Sequence, residues 1–185
     1  MGHVDSFSAE IANHKSQIAN PKPNNLYIVV FVTRAPLRLR NVRMADFETL
    51  YRLDQACFEQ GVAYTREELR QFLALATAQA VVAEIDGAVA GFGVGYVSIR
   101  QLGHVVTLDV AAEHRREGVG RALLEELLHR FAAASVRAVR LEVDVENASA
   151  IAFYEHFGFR RLRRLADYYG PNRPAWEMGL TLRKA

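Results

Sequence analysis

The chain has 185 residues, of which 50% are hydrophobic and 24% are charged, a balance that excludes a collagen, a coiled coil and a wholly disordered chain. Its net charge of +2 is too small to indicate a nucleic-acid-binding protein. The single cysteine, Cys57, excludes an intramolecular disulfide and a cysteine-based zinc site, and it fits a reducing compartment. The longest apolar run, residues 26–32, is far shorter than the ~20 residues of a membrane helix, and no secretory signal starts the chain. We therefore expect a cytoplasmic protein.

Residues 1–36 differ in pattern from the rest and are expected to form a flexible N-terminal extension before a domain at residues 37–185. Residues 20–25 (NPKPNN) are a cluster of helix breakers and turn formers. Two interpretations stay open for this extension: it is disordered, or residues 26–33 add an edge strand or cover a partner surface.

From residue 37 onward the hydrophobic pattern changes between the period of a strand and the period of a helix. In chain order it predicts a strand at residues 37–42, helices at 45–57 and 66–77, strands at 80–85, 88–99 and 104–110, a helix at 119–134, a strand at 138–145, a helix at 148–156, and strands at 159–165 and 175–182. Thr65 and Glu68 form a capping box for the second helix, and Asp86-Gly87 predicts a tight hairpin turn. This order predicts an α/β fold with a mixed central sheet of about seven strands flanked by about four helices.

A turn between a strand and a helix at residues 110–120 has the composition of a diphosphate site. Gly118 and Gly120 open the long third helix, where backbone N–H groups and the helix dipole attract an anion. Arg115, Arg116 and Arg121 add positive charge around the same turn. The alternative is a basic helix start with two glycines and no ligand. The dinucleotide-binding pattern Gly-x-Gly-x-x-Gly does not match this turn.

A second glycine-rich stretch, residues 91–95 (GFGVG), lies inside a predicted strand with no helix after it. Glycines in a strand interior mark a bulge or a close approach of another backbone. We therefore predict a structural role there rather than a phosphate site.

Residues 115–120 (RREGVG) fit the Arg/Gln-x-x-Gly-x-Gly/Ala signature of the GNAT superfamily of acyl-CoA N-acyltransferases, which this chain resembles. Residues 141–159 (LEVDVENASAIAFYEHFGF) resemble the second motif of that family. The segment around Cys57-Phe58 and the late Tyr168-Tyr169 resemble the branch that acetylates protein N-termini, including the ribosomal-protein alanine acetyltransferases. The resemblance covers residues 37–182.

The resemblance implies acetyl-CoA as cosubstrate, no metal, and acetyl transfer to a primary amine by direct attack in a ternary complex. It also implies that the strand before the phosphate turn bends away from its neighbour, so that the pantetheine arm pairs with its backbone. The residues implied to bind the coenzyme are Leu108, Asp109, Val110, Arg115, Arg116, Gly118, Val119, Gly120, Arg121, Asn147, Ala150 and Tyr154.

Three residues are candidates for acid–base catalysis. Glu142 lies on the polar side of an alternating strand and is either a general base or a solvated residue paired with Arg140 or another base. His104 is the second candidate for the base, or a structural histidine at the start of its strand. Tyr154 follows Asn147 by two helical turns, on one stripe of the fourth helix, and the resemblance implies that it is the acid for the departing thiolate.

The acceptor side is less determined by the sequence. Asp109 departs from the alanine common at its position, and it is either solvated on the outer face or in contact with the amine. The resemblance implies substrate binding by Glu59 and Tyr64. Tyr168 and Tyr169 lie in a predicted loop, where they either line the acceptor groove and bind a peptide backbone or serve as hydrophobic anchors. Cys57 is interpreted as a buried structural thiol.

The expected acceptor is a protein or peptide N-terminus, and the expected assembly is a monomer or a homodimer without membrane or direct nucleic-acid partners. Acetylation of a small-molecule amine and non-catalytic acyl-CoA binding stay open as alternatives. The arginine cluster at residues 160–164 (RRLRR) is either a site for an anionic partner or a solvated edge strand.

Overall fold

The computed structural model describes residues 36–59 and 61–182. Its elements in chain order are β1 (Arg38–Asn41), α1 (Phe47–Cys57), α2 (Arg66–Ala74), β2 (Ala78–Ile85), β3 (Ala88–Val97), β4 (Leu102–Val110), α3 (Val119–Ala133), β5 (Ala138–Asp144), α4 (Ala148–His156), β6 (Arg160–Leu165) and β7 (Ala175–Thr181). The predicted order of strands and helices is confirmed. The predicted extension at residues 1–36 lies outside the described residues, apart from Pro36.

The seven strands form one sheet in the order β1-β2-β3-β4-β5-β7-β6. Only the β4–β5 pair is parallel, and every other neighbouring pair is antiparallel. The predicted mixed sheet of about seven strands is therefore confirmed.

Helices cover both faces of the sheet because side chains alternate along the strands. Val81 and Ala83 of β2 pack with α3 in the larger core cluster. Val82, which lies between them, packs with Leu50 of α1 and Leu69 of α2 in a smaller cluster. The α1–α2 pair and α3 thus lie on opposite faces of the sheet.

The glycines of β3 let α3 approach the sheet closely. A Cβ atom on Gly93 would lie 2.9 Å from Leu127 Cδ1, and one on Gly95 would lie 2.7 Å from Phe131 Cζ. The β3–β4 ladder also shifts register between Val94 and Gly95, which is a β-bulge. The predicted structural role of this glycine stretch is confirmed.

Helix α2 ends three residues earlier than its hydrophobic pattern predicts. Thr65 and Glu68 form the predicted capping box at its start, but the helix stops at Ala74. The backbone after Ala74 makes other hydrogen bonds: Ala78 N donates to Leu75 O in a turn, and Val97 N of β3 donates to the carbonyl of Thr77. The turn and the bond to β3 therefore replace the last part of the predicted helix.

The Asp86-Gly87 hairpin is present as predicted, with positive φ values of 53° and 77° at its two central residues. Among residues 36–59 and 61–182, every helix is too short or too polar to span a bilayer.

Candidate active site

A cavity opens in the middle of the sheet, where β4 and β5 separate. These parallel strands pair over three residues only, and the last pair is His104 with Arg140. Beyond it a cavity of about 520 Å³ lies between the strands, as the resemblance implies. Among the residues proposed from the sequence, those lining it are Cys57, Glu59, Tyr64, Leu108, Glu142, Asn147, Ala150, Tyr154 and Tyr169.

The turn between β4 and α3 presents backbone N–H groups that the helix does not use. Gly118 is the N-cap of α3 with φ of 85°, in the left-handed region that glycine adopts without strain. The first bond of the helix runs from Ala122 N to Gly118 O. The N–H groups of Val119, Gly120 and Arg121 therefore precede the helical ladder, and the N-cap residue, Gly118, has no side chain with which to cap them. Such a terminus suits a diphosphate.

Three arginines surround this turn, as predicted. Arg115 Nε donates to the carbonyl of Val110 at the end of β4, over 3.1 Å. Arg121 pairs with Glu125 one helical turn later, over 2.8 Å. Arg116 is exposed and has a positive φ of 66°. The turn therefore combines oriented backbone dipoles with mobile positive side chains.

Glu142 lies on the β5 wall of the cavity and is held by a network of side chains. Its Oε2 atom is 2.7 Å from His104 Nε2 and accepts a hydrogen bond from the Tyr168 hydroxyl over 3.1 Å. The Tyr169 hydroxyl donates to the backbone oxygen of Glu142 over 3.2 Å. The Tyr96 hydroxyl is 3.1 Å from His104 Nδ1. If Tyr96 donates to Nδ1, the proton of a neutral imidazole is on Nε2 and points at Glu142.

The alternating pattern of β5 is confirmed, and the base paired with Glu142 is His104 rather than Arg140. Leu141 and Val143 are buried, whereas the Glu142 side chain faces the other way and is only 14% exposed. Arg140 pairs with Glu177 of β7 instead. Glu177 lies directly opposite Glu142 in the β5–β7 ladder, so Arg140 neutralises the neighbouring carboxylate and His104 takes the position beside Glu142.

Tyr154 reaches the cavity from α4 with the predicted spacing. Asn147 is the N-cap of this helix, and its Oδ1 accepts a hydrogen bond from Ala150 N over 3.0 Å. The Tyr154 ring packs edge-on against Phe153 and Phe159, with centroids 5.2 Å and 5.6 Å away. Burial raises the pKa of the Tyr154 phenol above its usual value. The hydroxyl group therefore keeps its proton at neutral pH.

The mouth of the cavity is formed by two loops that an arginine joins. Arg173, before β7, is 3.4 Å from Glu59 in the α1–α2 segment and 3.7 Å from Asp144 at the end of β5. The Tyr64 hydroxyl donates to the carbonyl of Val106 on the open edge of β4, over 3.2 Å. Burial raises the pKa of Tyr64. Both Glu59 and Tyr64 thus line the cavity on the side of the α1–α2 segment.

Asp109 is buried, so the expectation of a solvated residue on the outer face is wrong. Its side chain is 1% exposed because α1 covers this part of β4. The Thr107 hydroxyl donates to Asp109 Oδ1 over 2.7 Å, while Oδ2 has no hydrogen-bond partner among the described residues. Burial raises the pKa of Asp109 to about 8, and the nearby charge of Asp54 acts in the same direction.

A second buried carboxylate, Asp54 of α1, lies beside the same wall. Its Oδ2 accepts hydrogen bonds from Tyr64 N over 2.8 Å and from Gln55 Nε2 over 3.1 Å. Its Oδ1 has no partner within the described ranges, and burial raises the pKa of Asp54 to about 6. Two acids in unfavourable surroundings therefore lie beneath the lining of the cavity, a pattern typical of functional sites.

Sequence reasoning missed four of these residues: Tyr96, Asp54, Thr107 and Arg173. Tyr96 could have been found from the hairpin register, because it pairs directly with His104. Asp54 gave a signal as an acid on the apolar stripe of its helix. Thr107 and Arg173 gave none, since their contacts depend on how the elements pack.

The two remaining sequence interpretations agree with the structure. Cys57 is half-buried, its Sγ is 3.5 Å from Val110 O, and burial raises the pKa of the thiol. This favours a structural thiol. The arginine cluster at residues 160–164 lies on β6, an exposed edge strand, where Arg161 pairs with Glu155.

Comparisons with known proteins agree with this geometry. The family model described as "Acetyltransferase (GNAT) family" matches residues 47–159. The chain is 30% identical over 159 residues to a protein of Sulfurisphaera tokodaii named N-alpha-acetyltransferase, with 78% of this chain and 93% of the relative covered.

Two solved structures are similar over most of their length. Ard1 from Thermoplasma volcanium has a TM-score of 0.71 and 29% identity, with 80% of this chain and 98% of that chain covered. The ribosomal-protein-S18-alanine N-acetyltransferase from Escherichia coli has a TM-score of 0.73 and 24% identity, with 81% of this chain and 96% of that chain covered, which supports the fold alone.

Proposed function

This chain belongs to the GNAT acetyltransferase family and is an acetyl-CoA-dependent N-acetyltransferase, and we propose that its acceptor is the α-amino group of a protein or peptide. The observation that carries the proposal is the Glu142 carboxylate, which the His104 and Tyr168 side chains hold on the cavity wall. The relative named N-alpha-acetyltransferase, matched over most of its length, supports this class of acceptor.

In the proposed mechanism, Glu142 accepts the proton of the acceptor ammonium group. Its Oε2 atom is engaged by His104 and Tyr168, which leaves Oε1 for the substrate or a bridging water. His104 orients the carboxylate through its hydrogen bond to Oε2, and Tyr96 in turn orients the His104 ring. The earlier alternatives for the base, Glu142 and His104, thus become one hydrogen-bonded pair in which Glu142 faces the amine.

The basicity of this pair suits an α-amine. An α-ammonium group has a pKa of about 7.7–8.0, against about 10.4 for a lysine side chain. A carboxylate base can remove the first proton at neutral pH far more readily than the second. Four carboxylates line the cavity or its mouth, and they favour a cationic acceptor over an anionic one: Glu59, Glu142, Asp144 and Glu146.

Acetyl-CoA supplies the activated acetyl group, and the chain offers one region for each part of it. The free N–H groups at the start of α3, with Arg115 and Arg121 nearby, suit the diphosphate. The unpaired edge of β4, which includes Leu108, suits the amide groups of the pantetheine arm. Tyr154, protonated at neutral pH, is the proposed acid for the thiolate.

Acetylation of defined amines tests the proposal. The full chain is incubated with acetyl-CoA and either a panel of peptides with free N-termini, the same peptides with blocked N-termini and an internal lysine, or small primary amines. We expect thiol release and the mass increase of one acetyl group with free N-termini. Preference for a small amine over every peptide, or acetyl-CoA binding without turnover, would contradict the proposal and favour an alternative.

We further propose a cytoplasmic location, which the single cysteine supports. The monomer or homodimer stays a prediction.

A further inference from the structure

Thr107 is a residue of the cavity lining whose hydroxyl group is hydrogen-bonded to a buried acid. Thr107 lines the cavity on β4, while its Oγ1–H donates to Asp109 Oδ1 over 2.7 Å. Asp109 is 1% exposed, and its Oδ2 has no hydrogen-bond partner among the described residues. The mechanism above uses neither side chain. Burying a carboxyl group with an oxygen atom that has no hydrogen-bond partner costs free energy.

The direction of the Thr107 hydroxyl depends on the charge of Asp109. A hydroxyl group has one donor and two acceptor positions, whereas an ionised carboxylate only accepts. When Asp109 is ionised, it holds the Thr107 proton, and the lone pairs of Oγ1 remain for the cavity. When Asp109 is protonated, it can donate to Thr107, and the hydroxyl proton is free to turn toward the cavity.

The charge of Asp109 can change near neutral pH. Asp54 and Cys57 face it from α1, Tyr64 from the α1–α2 segment, Arg115 from the turn after β4, and Tyr154 from α4. Burial and the Asp54 charge raise the pKa of Asp109 to about 8, against the opposing effects of Arg115 and the Thr107 hydroxyl. Both states are therefore populated between about pH 7 and 9.

We propose that Asp109 is a positioning residue that turns the Thr107 hydroxyl, so that Oγ1 accepts an N–H of the acceptor amine when Asp109 is ionised. The amine is then held between Thr107 on β4 and Glu142 on β5, which directs its lone pair along the cavity. This inference rests on the proposed function, because it requires an amine acceptor in the cavity.

The kinetic test uses one peptide substrate with a free N-terminus. It compares kcat/KM for this peptide between pH 6 and 9.5 in wild-type and four variants. The ratio of wild-type to variant is used because the titration of the peptide amine cancels in it. For Asp109→Ala and Thr107→Val we expect a ratio near one at pH 6 that rises through about pH 8 to about 3- to 10-fold, the effect of one hydrogen bond. Thr107→Ser should follow wild-type at every pH, and Asp109→Asn, whose side chain cannot ionise, should give the same rising ratio as Asp109→Ala.

A purely structural role predicts a ratio that does not change with pH, or a change only in the KM for acetyl-CoA. Either result would overturn the proposal. Thr107→Val with wild-type kinetics would overturn it as well. Folding is not expected to limit the test, because each substitution at Asp109 removes a buried charge.

A second measurement needs no turnover. The Asp109 carboxyl carbon is followed by NMR in aspartate-labelled protein and is assigned by its absence in Asp109→Asn. We expect a midpoint near 8 that rises in Thr107→Val, because the hydroxyl stabilises the ionised form. An ordinary midpoint near 4, or one that Thr107→Val leaves unchanged, would overturn the inference. If Asp109 titrates near 8 but the enzyme acetylates no peptide, the proposed function is overturned instead.

Discussion

The coenzyme side and the acceptor side of the cavity are built in different ways. The diphosphate turn uses consecutive residues, Arg115 to Arg121, and mostly their backbone N–H groups. The acceptor side uses side chains from distant parts of the chain, such as the pair of His104 with Glu142 and that of Arg173 with Glu59. A site made by one local turn can be altered without disturbing the other side, whereas the acceptor network should respond as a unit.

The largest expected effect is on the acceptor side. Glu142→Gln keeps the shape of the side chain and its contact with Tyr168 but removes the base. We expect kcat to fall by about 100-fold or more, with little change in the Kd for acetyl-CoA, because general base catalysis contributes at least that much. Steady-state kinetics and calorimetric titration measure the two quantities separately.

Glu146→Gln is the matched control, because Glu146 lines the same cavity and donates its backbone N–H to Asp144. Its kcat should stay close to wild-type. If both variants lose activity equally, the cavity needs negative charge rather than a base at Glu142, and the acceptor network has no special role.

Tyr154→Phe should lower kcat by about 10- to 100-fold, because the thiolate then leaves without a proton donor. The KM for acetyl-CoA should rise less, since the ring still packs against Phe153 and Phe159. Phe153→Leu, which removes a neighbouring ring but no hydroxyl group, serves as the control. An unchanged kcat in Tyr154→Phe would remove this residue from the mechanism.

Gly120→Ala should separate the coenzyme side from the acceptor side. A Cβ atom there would lie 3.6 Å from Leu108 Cδ2, an ordinary contact, so the fold accepts it. Alanine even favours the helix by about 1 kcal/mol over glycine. We expect a KM for acetyl-CoA raised by about 10-fold, because the methyl group approaches the diphosphate, which would cost about 1.4 kcal/mol of binding.

The control for Gly120→Ala is Gly87→Ala, in the β2–β3 hairpin with φ of 77°. It should lower thermal stability and leave the KM for acetyl-CoA unchanged. If Gly120→Ala instead lowers kcat at an unchanged KM, the turn is coupled to the chemistry and the two sides are not separable.

The last expected effect is on stability rather than on activity, and it should appear on the acceptor side. The pKa of Asp54 is raised to about 6 in the folded protein, above its unfolded value, so the folded state loses stability as the pH rises from about 4 through 6. Asp54→Asn should therefore increase the free energy of unfolding by about 1–3 kcal/mol at pH 8 and by less at pH 5. Urea unfolding at the two pH values measures this difference. Equal effects at both pH values would show that folding does not raise the pKa of Asp54.

The difference between a site made by one local turn and a site made by distant side chains also explains what could be predicted from the sequence. The order of elements, the hairpin at Asp86-Gly87 and the glycine turn that starts α3 depend on local pattern and backbone chemistry, and they were predictable. Helix α2 was predicted too long because its end at Ala74 depends on hydrogen bonds to β3.

On the acceptor side, the sequence indicated single residues but not their partners. Glu142 and His104 appeared as separate alternatives, and only the short parallel pairing of β4 with β5 brings them within 2.7 Å. Asp109 was expected to be solvated because its alternation with Leu108 and Val110 gives its face but not the helix that covers it. Arg173 could not be predicted, since its contact with Glu59 spans most of the domain.

The most direct test of the proposed acceptor is a crystal structure with coenzyme A and a peptide that has a free N-terminus. The proposed function predicts the diphosphate at the N–H groups of Val119 and Gly120, and the peptide amine within hydrogen-bond distance of Glu142. A peptide bound with its amine away from Glu142, or a mouth closed to any peptide, would contradict it.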